Sequence, residues 1–227
     1  MRAILIGASG LIGGLLLEKL LGSEAFSAVR VIARKPLPLQ HPKLETCLIN
    51  FEDETAFRQA VIPAEVLFCC VGTTQKKVKH DKQAYRKVDF DIPTRAAKFC
   101  AEKGIPQFLL VSSVGANAGS GNFYLALKGE TETAVLRQPI PTICIMRPSI
   151  LLGKRSESRP GELIGKAVMR FFSWFLPGSS QKYKAIHAAD VAGAMLQVSQ
   201  KKQPGKFILE YNGMMEAVAA GLSEKDN

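Results

Sequence analysis

No stretch of the chain is an uninterrupted apolar run of the about eighteen residues that a bilayer requires. Nor does it open with the charged, apolar and cleavage-site order of a secretory leader, since residues 3–6 are already an apolar strand pattern. No membrane partner is expected, and a cytoplasmic site of action is. Cysteine is sparse. Cys47, Cys69, Cys70, Cys100 and Cys144 are odd in number and show no CxxC spacing, so neither a disulfide framework nor a metal site is indicated. They read as buried thiols in a reducing compartment, with Cys69 and Cys70 pointing to opposite faces of any strand they share. Aromatic residues make up only 7% of the chain. None interleaves with the densest basic stretch, Lys76-Lys77-Val78-Lys79-His80-Asp81-Lys82, so the stacking platform of a single-strand binder is missing. The net charge of +10 is otherwise scattered, which predicts weak, salt-sensitive nucleic-acid contact and no specific nucleic-acid partner.

What is present is enough apolar material, 47% of 227 residues, for one sizeable core. Strand-like runs at 3–6, 29–33, 44–49, 66–71, 108–111 and 142–146 alternate with helical patterns at 11–21, 81–102 and 123–136. Apolar strands alternating with helices predict an α/β fold of the Rossmann-like, doubly wound kind, a parallel sheet with helices on both faces. The single domain, 1–227, divides into a cofactor-binding core at 1–147 and a small C-terminal substrate-side lobe at 148–222. That lobe is expected to hold helices at 163–176 and 188–199 and a strand at 207–211, and 223–227 is a polar tail expected to fray.

Directly after the first strand comes Gly7-Ala8-Ser9-Gly10-Leu11-Ile12-Gly13-Gly14. Small residues let the backbone turn sharply into a helix and approach a pyrophosphate closely, while the free N–H groups at the helix start attract the anion. Gly7, Ser9, Gly10, Leu11, Ile12 and Gly13 are therefore candidate dinucleotide contacts. At the end of the second strand an NAD-preferring fold places an acid for the ribose 2′-OH. Here Arg34 and Lys35 stand instead, cations suited to a 2′-phosphate, so NADP(H) is expected ahead of NAD(H). Asn50 and Phe51 are candidates for the adenine pocket, and Val71, Gly72, Thr73 and Thr74 for the passage of the dinucleotide over the sheet.

Tyr124-Leu125-Ala126-Leu127-Lys128 sets a phenol and an ammonium one helical turn apart. A neighbouring ammonium favours the phenolate, so the hydroxyl can exchange a proton with a substrate oxygen while the lysine also holds the nicotinamide ribose. A hydroxyl at the end of the preceding strand, in Ser112-Ser113, would polarise the reacting carbonyl. Ser113 is the chosen one, and Ser112 is kept as its alternative and as a cofactor contact.

With these residues in hand, the chain resembles the atypical short-chain dehydrogenase/reductases, and within them the Tat-interacting-protein-2-like oxidoreductases. The likeness is carried by Gly7-Ala8-Ser9-Gly10, Cys69-Cys70-Val71-Gly72-Thr73-Thr74, Ser112-Ser113, the segment from Tyr124 through Glu130, and Ser158-Arg159-Pro160-Gly161-Glu162. The resemblance implies NADP(H) binding and puts Ser113, Tyr124 and Lys128 in the catalytic positions. It also sets Arg147, Pro148, Ser149 and Ile150 near the nicotinamide. Asn50 stands where such relatives often carry an acid. The expected function is hydride transfer to or from a small carbonyl or hydroxyl compound, and the alternative is an NADP(H)-binding sensor or interaction protein with little turnover. His187 reads as a structural histidine at a helix start. Phe171, Phe172, Trp174 and Phe175 read as core, with an apolar substrate pocket or the interface of a homodimer as alternatives.

Overall fold

Ala3-Ile4-Leu5-Ile6 offers no polar alternate, so a strand made from it must be covered on both faces. In the computed structural model, which describes residues 1–73, 81–153, 181–201 and 203–223, it is. Six strands, β1 (Arg2–Ile6), β2 (Ala28–Ala33), β3 (Leu44–Leu48), β4 (Val66–Cys69), β5 (Gln107–Val111) and β6 (Thr142–Met146), come first. The short β7 (Leu151–Leu152) and β8 (Ile186–His187) pair in parallel with one another, and β9 (Gly205–Leu209) follows. The main sheet runs β3-β2-β1-β4-β5-β6-β9 with every ladder parallel. Its order reverses between β1 and β4, and the crevice beyond the carboxyl ends at such a reversal is where ligands bind in open α/β sheets.

Period-two alternation sorts the strand residues between two cores. Ala3, Leu5, Val29, Val31, Phe68, Leu109, Cys144 and Met146 face one side, against α1 (Leu11–Gly22), α6 (Ala188–Lys201) and α7 (Tyr211–Ser223). Ile4, Ile6, Ile32, Leu67, Cys69, Phe108, Leu110, Ile143 and Ile145 face the other. They meet α2 (Glu54–Ala60), α4 (Ile92–Glu102) and α5 (Phe123–Leu136). Each fully buried Leu or Ile contributes about 1.5–3 kcal/mol relative to exposure. The five thiols are unpaired, and Cys69 and Cys70 fall on opposite cores as strand parity requires, although Cys47 and Cys70 are only half-buried.

Several expected boundaries shift for local reasons. Helix 81–102 is in fact α3 (Lys82–Arg86), a π-turn at Lys87–Asp91 and α4. Pro93 is the cause: it has no N–H to give the Asp89 carbonyl and its ring crowds that carbonyl, so the ladder breaks there, and the Thr131 hydroxyl, 2.8 Å from the Leu127 carbonyl of its own helix, also stands 3.1 Å from it. Strand β4 stops at Cys69 and not at 71, and β9 covers 205–209 and not 207–211, because Tyr211 already opens α7. Neither α2 nor α7 is anticipated from the pattern. The first is a seven-residue helix started by Asp53, whose carboxylate accepts the Ala56 N–H at 2.9 Å. Part of the segment expected on the substrate side returns to the sheet: β9 is its seventh strand, and α6 packs on α1. The expected helix at 163–176 with its four aromatics, the segment 158–162 and the tail from 224 lie outside the described residues.

Candidate functional site

The turn out of β1 needs its glycines for different reasons. Gly7 has φ +91°, and a Cβ there would fall 2.6 Å from the Cys70 carbonyl carbon. The β1 turn therefore lies directly against the end of β4. A Cβ on Gly13 would meet the Gly7 carbonyl oxygen at 2.2 Å, so this third glycine allows the helix to sit on its own loop rather than touching a ligand by a side chain. Gly10 caps α1 in an extended conformation without any side-chain acceptor. The N–H groups at the helix start, including those of Leu11 and Ile12, thus face outward beside exposed Ser9, while the Ile12 side chain itself is core.

At the neighbouring strand ends, Arg34, Leu48, Ile49 and Asn50 line an open depression. Arg34 and Lys35 are exposed. Asn50 spends its side-chain carbonyl on the Glu52 N–H at 3.0 Å, leaving its amide N–H groups for other partners. Phe51 does not join the wall as expected. It is buried, with its ring edge-on to Phe57 at 4.9 Å, and its carbonyl accepts from Arg95. Apolar area draws the ring inward, so Phe51 supports the depression from below.

Past β4, Val71, Gly72 and Thr73 run beneath the crevice, and Thr74 lies outside the described residues. The Thr73 N–H donates to Asp89 Oδ2 at 2.8 Å, and the other oxygen, Oδ1, stands 2.8 Å from Lys128 Nζ. Both charged groups are buried, at 1% and 7% exposure of their side chains. Burial pushes the Lys128 ammonium down, but the Asp89 carboxylate, with Tyr124 adding to it, more than offsets this and holds it above the ordinary lysine range. Lys128 is therefore not the lone ammonium that the spacing suggests. Tyr124 lies at the start of α5, where Asn122 accepts the Tyr124 and Leu125 N–H groups at 3.0 and 3.2 Å, and its ring centroid is 5.9 Å from Lys128 Nζ. Tyr85 is edge-on to it at 6.4 Å and donates its hydroxyl to the Thr73 carbonyl.

Beyond β5 the extended pairing continues, with the Ser112 N–H donating to the Met146 carbonyl and the Val114 N–H to Pro148. Both serines are nearly buried. Ser113 Oγ leans on the Val114 carbonyl at 3.3 Å, whereas Ser112 Oγ is buried with no partner among the described residues. Parity places Ser112 on the α5 side, with Leu110 and Cys69. The two serines thus follow β5 directly with their side chains on opposite faces, and both are buried.

Arg147 differs from expectation. Its guanidinium grips Glu132 through Nε at 3.0 Å and Nη2 at 2.5 Å, with Glu210 at 4.0 Å, so it ties α5 to the end of β6 instead of reaching toward a nicotinamide. Pro148 and Ile150 give their carbonyls to Val114 and Ile186 and border the same crevice. Because Glu132 is 3% exposed, Arg147→Met strands a buried carboxylate. We expect it to lower stability by about 3 kcal/mol in urea unfolding. An unmoved midpoint would show the pair to be energetically idle. His187 is exposed at the start of α6.

Asp89 and Tyr85 were not singled out by sequence. The available signal was Pro93 within an otherwise helical pattern, which marks a broken turn at Asp89. The donor set fits a dinucleotide: a cradle that Cβ atoms at Gly7 and Gly13 would fill, unshared N–H groups at α1, exposed cations at Arg34 and Lys35, and an orphaned Ser112 hydroxyl. Among the described residues no helix is long and apolar enough to cross a membrane.

The family described as NAD(P)H-binding matches residues 7–202. Protein HTATIP2 of Rattus norvegicus is 34% identical over 195 residues, 85% of this chain and 78% of that protein. Protein FMP52, mitochondrial, of Debaryomyces hansenii is 31% identical over 203 residues, 83% and 88% of the two. Among solved structures, MoeE5 in complex with UDP-glucose and NAD is similar with a TM-score of 0.70 at 16% identity, over 93% of this chain and 76% of that one, a likeness of fold.

Proposed function

The chain belongs to the NAD(P)H-binding family of atypical short-chain dehydrogenase/reductases, and from that membership we propose that it is an NADP(H)-dependent oxidoreductase acting on a small carbonyl or hydroxyl compound. One observation supports this above the others. An unbroken series of contacts runs from the Gly7 turn to Cys70, through Thr73 to Asp89, and on to Lys128 beneath Tyr124. It joins the place for a pyrophosphate to a proton-exchanging phenol.

When bound, the dinucleotide supplies or accepts the hydride. The Gly7–Gly10 turn and the start of α1 hold its phosphates, Arg34 and Lys35 its 2′-phosphate, and Lys128 its nicotinamide ribose. Tyr124 gives a proton to the carbonyl oxygen in reduction and takes it back in oxidation. Ser113, with Ser112 as its rival, donates a hydrogen bond to the same oxygen, where negative charge develops. A sensor that turns over little has no chemical use for a hydroxyl, a phenol and an ammonium gathered at one strand end. The five unpaired thiols suit a reducing compartment, and the cytoplasm is the proposed one.

The test is thermal stabilisation and isothermal titration with NADPH and NADH. Arg34 is exposed and forms no ion pair among the described residues, so NADPH is expected to bind at least about tenfold more tightly, a difference of about 1.4 kcal/mol. Arg34→Asp is expected to reverse the order, because a carboxylate repels the 2′-phosphate and accepts from a 2′-OH. Equal affinities in the wild type, or an unchanged order in the variant, would remove Arg34 as the phosphate reader.

A further inference from the structure

We propose that Asp89 is a positioning residue of this site: its carboxylate, projected from the π-turn, fastens the Lys128 ammonium to the Thr73 backbone, so that the loop after β4 sets where the lysine stands. The inference rests on the proposed role of Lys128 at the ribose and deepens it. Each oxygen of Asp89 meets a different segment. Oδ2 takes the Thr73 N–H, Oδ1 forms a buried ion pair with Lys128 at 2.8 Å and takes no other partner among the described residues, and the main-chain carbonyl, released by Pro93, lies 3.1 Å from the Thr131 hydroxyl on α5, which it shares with the Leu127 carbonyl at 2.8 Å. Three segments meet on one residue: the β4 loop, the broken helix and the helix bearing Tyr124 and Lys128.

An ordinary helical turn would keep the Asp89 carbonyl inside the ladder and leave no reason for Thr131 to bind it. The broken turn is thus part of the device, and Pro93 is what breaks it. Its electrostatics also differ from those of a surface ion pair. The groups facing Lys128 are Asp89 from the π-turn, Tyr124 from its own helix and Cys69 from β4. Burial pushes the Cys69 thiol up to about 12, so it is neutral, and burial also pushes up the phenol of Tyr85, which faces Asp89. Of these neighbours, Asp89 is the one that most strongly opposes the effect of burial on Lys128. It keeps Lys128 protonated and fixes its direction, leaving the remaining ammonium hydrogens for a ribose. Without it, burial, which favours the neutral amine, loses its largest opponent at the lysine.

The experiment is a cycle of Asp89→Asn, Lys128→Met and the double variant, read by NADPH affinity in isothermal titration and by side-chain 15N NMR of Lys128 in the ligand-free protein. Asp89→Asn is expected to weaken NADPH about tenfold and to make affinity fall with rising pH across about pH 7–9, while the wild type stays flat. On the Lys128→Met background the same change is expected to add less than about twofold. In the NMR experiment, the Lys128 ammonium of the wild type should persist to high pH, and in Asp89→Asn it should titrate lower.

Should Asp89→Asn fail to fold, the double variant, which removes both buried charges, is expected to fold and still allows comparison with Lys128→Met. Equal losses on both backgrounds, or an unaltered Lys128 titration in Asp89→Asn, overturn the proposal. A wild type that binds neither NADPH nor NADH would instead defeat the proposed function, while the NMR result would still judge the tie between Asp89 and Lys128.

Discussion

Tyr124→Phe should abolish most turnover, by about 10²–10⁴-fold, while leaving NADPH affinity within about threefold. Among the described residues the hydroxyl takes no hydrogen-bond partner. The ring keeps its edge contact with Tyr85 and its place beside Lys128, and the helix start is secured by Asn122 acting on backbone N–H groups. Phenylalanine preserves all of these and removes only the exchangeable proton. Hydride transfer without a proton for the oxygen leaves an alkoxide in a site whose nearest cation, Lys128, already faces Asp89. Single-turnover oxidation of NADPH, on whichever carbonyl a screen identifies, is the measurement. A Phe variant that matches the wild-type rate would take Tyr124 out of the chemistry.

Gly129→Ala should be the most damaging of the small substitutions, lowering stability by more than about 4 kcal/mol. A Cβ at this mid-helix position would fall 2.1 Å from the Ala118 nitrogen and 2.3 Å from the Asn117 carbonyl carbon. Backbone cannot rotate out of the way as a side chain can. This backbone is also pinned, because the Asn117 N–H donates to the Leu125 carbonyl at 3.0 Å and the Asn117 side chain accepts the Gly119 N–H at 2.9 Å. The turn after β5 is thereby laid against α5, next to the helix start that carries Tyr124. For a chain of this size the loss corresponds to a melting temperature lower by about 10 °C or more. Gly22 provides the control, since nothing lies within 4 Å of a Cβ there and alanine should be neutral or mildly stabilising. Equal melting temperatures for Gly129→Ala and Gly22→Ala would contradict the packing described.

The parts of the molecule that sequence disclosed share one property: each is decided by neighbours along the chain. The apolar run 142–146 and the helix 123–136 have the bounds anticipated, because a doubly buried strand and an Asn-capped helix are local patterns. The glycine turn was equally plain from its position after β1. What escaped depends on partners far away in sequence. Arg147 was set near the nicotinamide by the resemblance alone, and its partner Glu132, on a different element, was not visible in the sequence. Phe51 looked like a pocket wall because its alternative, an edge contact with Phe57 and the core beneath, exists only after folding. Asp89 was hidden twice over: the helical period runs through it, and its value comes from Thr73 and Lys128 arriving at either oxygen. Of the two serines, alternation alone separates them, and their hydroxyl environments do not settle the choice.

The all-parallel order of the sheet also governs how the chain leaves the ribosome. Among the described residues no strand pair can be closed by a tight hairpin, and the last ladder of the main sheet joins Met146 to Leu209. At about 5–20 residues per second, the stretch between them takes on the order of several seconds to synthesise. Throughout that interval β6, whose five residues are all buried in the finished protein, is an open and strongly apolar edge. The nascent chain is therefore most exposed to intermolecular strand pairing just before β9 emerges. A truncation that ends ahead of Gly205 would make that passing hazard permanent.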